Sequence, residues 1–166
     1  MKHVSVQTSF LAALCSLVAA ISFFILSTPA WSAATEIRLS KGQTVYVPVY
    51  SNVFSGPRKL PMLLATTLSI RNTDRAAAFK VTAIDYYDTA GKLIRHQLER
   101  PVMVAPLATY HVHLEENDKA GGFGANFIVR WQAEREINAP IIECVMIGAT
   151  GGQGISFVSP GQEIRE

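Results

Sequence analysis

His111 and His113 are the residues whose type and spacing come nearest to a metal site in this chain. On an extended strand, positions i and i+2 project from one face about 6–7 Å apart, a separation at which two imidazoles can share a zinc or copper ion. Thr109 and Glu115 fall on the same face and could add oxygen ligands. The same alternation puts Tyr110, Val112 and Leu114 on the opposite face. The segment therefore reads first as an amphipathic strand with its histidines in solvent, because local spacing fixes no third ligand.

Immediately downstream, Glu115, Glu116, Asn117 and Asp118 precede Gly121-Gly122-Phe123-Gly124, and Asn126 follows. Hard oxygen ligands gathered on a flexible loop suit calcium. Their spacing matches no calcium-loop formula, and acids at a strand end beside glycines also serve simply to solvate a turn. Asp85 and Asp88 frame Tyr86-Tyr87 and are the nearest approach to a carboxylate pair. An enzyme acting on polysaccharide or peptidoglycan would need two such groups about 5–9 Å apart in a cleft. Flanking a turn, these two would diverge. Of the adjacent tyrosines, one belongs to the core, and the other, if exposed beside carboxylates, could stack on a sugar or grip a partner.

No Gly-x-Ser-x-Gly elbow, His-Glu-x-x-His helix, Walker loop or Cys-x-x-Cys pair occurs, so no catalytic residue is assigned. A second glycine cluster, Gly151-Gly152-Gln153-Gly154, echoes the first. Neither cluster opens a helix, which a phosphate cradle requires. Each is expected to join two strands where the backbone needs positive φ.

The elements that carry these residues have period two almost throughout. Val45, Val47 and Val49 share a face, and Pro48 among them implies an edge or a kink because it cannot donate to a ladder. Ser51 to Pro61, with Gly56, Pro57 and Pro61, reads as a loop. Leu64, Thr66, Leu68 and Ile70 alternate next, before a turn at Asn72-Thr73-Asp74. Phe79 and Val81 are out of phase with Ile84 and Tyr86, which predicts a bulge near Ala83. Asp88 to Gly91 supplies the turn of a hairpin over 79–98. Val102 to Val104, Tyr110 to Leu114, Phe127 to Trp131, Ile141 to Ile147 and Ile155 to Val158 follow, with Trp131 in core phase. Seven or eight short strands predict an all-β fold, a single antiparallel β-sandwich of immunoglobulin-like topology, with a small barrel as the alternative.

The first residues bound where this domain works. Lys2 and His3 precede an apolar run from Phe10 to Leu26, closed by the small residues around Pro29 to Ala34. That order is the pattern of an export signal. Residues 1–34 are expected to be a signal helix cut after Ser32 or Ala34, placing residues 35–166 in the periplasm or outside the cell. The run at 10–26 is just short of a spanning helix, so an uncleaved inner-membrane anchor is the alternative. Cys15 is not a lipidation site, because Leu14 stands where a small residue is required.

Without Lys2, fourteen basic residues face thirteen acidic ones with no basic stripe, which argues against nucleic acid and against electrostatic attraction to membranes. Cys144 is then the only thiol, so no intrachain disulfide can staple the fold. Its phase with Ile142 and Met146 predicts burial.

Four segments together resemble a bacterial exported family catalogued as a domain of unknown function, number thirty-one twenty-four. They are Tyr46 to Ser51, Leu68 to Asp74, Asp85 to Asp88 with Gly91, and Asp118 to Phe127; Val145 to Gly148 and Gly154 to Phe157 continue the likeness. The resemblance spans about residues 42–160. It implies one exported domain and supplies no activity, cofactor or partner.

The resulting expectation is a non-catalytic exported module that binds an envelope protein or cell-wall component. Its candidate surface is the loop carrying Asp118, Gly121, Gly122, Gly124 and Asn126, with Glu115 and Glu116 beside it. No cofactor is expected; zinc or copper at His111 and His113, or calcium at the loop, are the alternatives.

Overall fold

A computed structural model describes residues 38–55, 57–150 and 152–165. The proposed export segment lies outside the described residues. Twelve strands follow one another: β1 (Leu39–Val49), β2 (Asn52–Ser55), β3 (Leu60–Leu63), β4 (Ala65–Arg71), β5 (Phe79–Tyr87) and β6 (Leu93–His96). Then come β7 (Val102–Val104), β8 (Thr109–Leu114), β9 (Ala125–Asn138), β10 (Ile141–Thr150), β11 (Gln153–Pro160) and β12 (Gln162–Ile164). No described residue is helical, and none of the described residues forms a helix long and apolar enough to cross a membrane.

All pairings are antiparallel. One sheet runs β12-β1-β9-β5-β6 with β7 also on β5, a second runs β11-β10-β4-β8, and β2 and β3 form a separate hairpin. Alternation determines which side chains meet. Val45, Val47, Val81, Ile84, Tyr86, Phe127, Val129 and Trp131 of the first sheet join Leu68, Ile70, Val112, Leu114, Cys144 and Met146 of the second in one buried cluster. Each large apolar side chain buried there contributes about 1.5–3 kcal/mol. Cys144 is fully buried, and that burial pushes its thiol up, keeping it protonated and inert.

Several local expectations hold. The register slips between Val81 and Ala83, and Thr82 Oγ1 bonds the Arg130 carbonyl at 3.1 Å there. The β5–β6 hairpin turns through Gly91 at φ 76°. Pro48 sits on β1 beyond the Thr44–Tyr46 stretch that pairs with β12, so among the described residues one side of its backbone has no strand neighbour.

Two expectations need correction. The strand number exceeds seven or eight, and the supposed loop at 51–61 contains β2 and the start of β3. Pro57 and Pro61 masked that hairpin. Pro61 is accommodated because the hairpin is only two strands wide and Pro61 faces Phe54 at its edge.

The two poles of the body differ. The chain enters at the pole where Leu39 pairs with Asn138 and the Arg38 carbonyl accepts from Ala139 N. β12 runs back along β1 toward that pole, where Glu163 pairs with Arg38 at 2.7 Å. Asn72 knots this pole together. Its buried amide donates to the carbonyls of Ala77 (2.8 Å), Val104 (3.2 Å) and Ala105 (3.0 Å), while its oxygen accepts from Asp74 N. Asp74 in turn accepts from Ala76 N and Ala77 N at 2.9 Å, and Thr73 reaches the Ala139 carbonyl.

Candidate functional site

The opposite pole gathers the β5–β6 turn, the β8–β9 loop, the end of β1 and the β2–β3 hairpin. In the β8–β9 loop, Asp118 and the backbone of the glycine cluster have structural partners. Asp118 caps Ala120 N at 3.0 Å and pairs with Arg95 at 2.6 Å, and the Arg95 guanidinium lies 5.2 Å from the centre of the Tyr86 ring. Thr89 staples the loop: its N and Oγ1 both donate to the Gly121 carbonyl at 2.9 Å, and its Oγ1 accepts from Gly124 N at 3.0 Å. Ser51 N donates to the Gly122 carbonyl at 3.1 Å.

The glycines permit this close wrapping. Gly121 is buried, and a Cβ there would run into the Tyr86 hydroxyl and the Ala125 side chain. Gly122 has φ 75°, a left-handed conformation that a side chain disfavours. Tyr86 beneath them is fully buried with its hydroxyl 3.3 Å from Ser51 Oγ. Burial pushes its phenol up and the Asp118 charge adds to that, while Ser51 and Arg95 oppose it. Asn126 is not in the loop. It is buried on β9, opposite Pro48 and Tyr87.

What this pole leaves in solvent is aromatic. Phe123, held out between Gly122 and Gly124, is 48% exposed. Its ring meets Tyr50 edge-on at 5.4 Å and stacks with Phe54 at 5.9 Å, and Tyr50 meets Phe157 at 5.6 Å. Phe54 on β2 is 58% exposed and Leu60, where the hairpin returns, is 61% exposed. The hairpin's base is anchored by buried Met62 and Leu64 and by Leu64 N donating to the Ser51 carbonyl at 3.0 Å. Four chain segments thus build one apolar surface. Sequence reasoning missed Phe54 and Phe123 as surface residues. The available signal was an aromatic ring in a glycine loop, where no alternating strand could bury it.

The other candidates lie elsewhere. His111 and His113 are exposed on the outer face of the second sheet, opposite Ser69 and Thr67, and His113 Nδ1 lies 3.3 Å from Thr67 Oγ1. Glu115 is 3.9 Å from His113 Nε2, and Glu116 is exposed. Among the described residues no three His, Cys, Asp or Glu side chains gather as metal ligands. Asp85 and Asp88 have separate tasks. Asp85 is buried between Arg130 (2.8 Å) and His96 Nδ1 (2.6 Å), whereas Asp88 accepts from the turn amides of Ala90 and Lys92. A cavity of about 620 Å³ opens near the Asn72 pole, lined by Ala76, Ala77, Lys80, Met103, Glu134 and Arg135 among others.

Comparison with solved structures finds a likeness to the crystal structure of Thermotoga maritima 1070, with a TM-score of 0.44 and 12% identity over 74% of this chain and 93% of that one. No curated protein matches. A family model described as "Protein of unknown function (DUF3124)" matches residues 42–164. That span takes in β2 to β12 complete, together with both poles, and the chain belongs to the DUF3124 family.

Proposed function

We propose that this protein is an exported, non-catalytic β-sandwich of immunoglobulin-like type that binds an envelope component through its aromatic pole. Two antiparallel sheets sharing one core support the sandwich reading. The basic start, apolar run and small-residue exit of residues 1–34 support export.

The observation that carries the binding reading is the four-ring surface of Tyr50, Phe54, Phe123 and Phe157, in which Phe54 and Phe123 are about half-exposed and Tyr50 and Phe157 back them against the core. Exposed aromatics held rigidly lose little conformational freedom on binding, which makes them favoured contact residues. In the native host, Phe54→Ser with Phe123→Ser is expected to reproduce the phenotype of a deletion while the protein accumulates normally. A double variant indistinguishable from wild type would remove the aromatic pole as the functional surface.

A further inference from the structure

We infer that the occupant of the aromatic pole is the surface of an anionic phospholipid bilayer, contacted by the tip of the β2–β3 hairpin. This rests on the reading of that pole as the binding surface. Phe54 and Leu60, 58% and 61% exposed, flank a turn that carries Arg58 and Lys59, both in solvent. Phe123 extends the apolar surface by stacking on Phe54. Aromatic and aliphatic side chains next to cations match the boundary between acyl chains and acidic headgroups.

The local charge is one-sided even though the whole chain is nearly neutral. No acidic residue occurs from Ile37 to Thr73, a span that includes the entire hairpin. Of the loop acids at this pole, Asp118 is paired with Arg95 and Asp88 accepts from the turn amides of Ala90 and Lys92. Glu115 and Glu116 follow β8, the edge of the second sheet opposite β11, whereas β3 lies against β10. Met103, exposed at the other pole, has no such setting: Glu134 lines the same cavity as Met103, Lys80 and Arg135. The expectation of no electrostatic attraction to membranes rests on net charge, which does not register this segregation.

Hydrogen exchange of the full chain tests the inference, because it locates the contact whether or not the N-terminal segment also enters the bilayer. The probes are vesicles of phosphatidylglycerol with phosphatidylcholine, and of phosphatidylcholine alone. Peptides covering 52–63 and 121–125 are expected to exchange more slowly only with the anionic vesicles, while peptides covering 72–78 and 105–109 stay unchanged. Each basic side chain near an anionic surface is worth about five-fold in partition. Arg58→Glu with Lys59→Glu should therefore abolish the protection, and so should Phe54→Ser with Leu60→Ser.

Equal protection by both vesicle types, or protection that survives the charge reversal, would overturn the anionic-lipid assignment. Absence of protection, with the Phe54 and Phe123 double variant still phenotypically null, would overturn the lipid and leave the binding surface standing with a protein partner. Absence of protection with that double variant behaving as wild type would overturn both.

Discussion

The Asn72 pole and the aromatic pole use similar materials to opposite ends. Both are turns rich in Asn, Asp, Thr and Gly or Ala, and both close the same two sheets. At the Asn72 pole one buried amide holds three carbonyls from two connections, and Asp74 carries the network on to Ala76, Ala77 and, at 3.4 Å, Asn138 N. At the aromatic pole Thr89 and Asp118 play the stapling part, but the chain they hold presents Phe123 to solvent. The lesson is that polar loop residues alone do not mark a site. Buried polar groups must find partners, so a polar cluster at a turn is first a structural device, and the informative residue is an apolar one that the device holds outside.

Substitutions can break or sharpen this contrast. The largest effect is expected from Asn72→Ala, which removes the one side chain that bridges the Ala77, Val104 and Ala105 carbonyls and leaves a cavity in its buried place. Urea unfolding should show a loss of about 3 kcal/mol, and a loss below about 1 kcal/mol would erase the distinction between the poles. Gly121→Ala pushes a methyl group into the Tyr86 hydroxyl and should cost about 2 kcal/mol through overpacking, showing that the loop glycine is structural. Phe123→Ser removes two ring contacts from a half-exposed side chain and should cost only about 1 kcal/mol in the same assay.

The smallest effect belongs to Asp74→Asn, a loss present at neutral pH that disappears in acid. Backbone bonds from Ala76 and then Ala77 hold the Asp74 carboxyl below its usual value of 3.8. The stabilisation is therefore complete above about pH 4 and is lost as the pH falls through the lower folded value. Acid titration of Asp74→Asn should be flatter in that window; an unchanged profile would remove Asp74 from the network.

Much of the core was legible because alternation is a local property. Val45, Val47 and Val49, the bulge by Ala83, the burial of Cys144 and the outward histidines all follow from phase along single strands. Asn72 was legible as a turn residue, but not as a hub, since its partners at Val104 and Ala105 lie on a different connection. The β2–β3 hairpin was hidden by prolines whose backbone demands a two-stranded edge happens to satisfy. Asn126 looked like part of the loop because distance along the chain cannot tell the last loop residue from the first buried positions of β9.

The return of β12 along β1, clasped by Arg38 and Glu163, has a mechanical consequence. Residues 38 and 163 are neighbours, so a pull between the two ends of the body would act first on the Thr44–Tyr46 ladder, that ion pair and the Leu39–Asn138 end of the β1–β9 ladder. β12, a three-residue strand at the sheet edge, would peel away first, with the aromatic pole at the far end of the ladders. A tag or tether joined at either end of the body would therefore leave the far pole unobstructed.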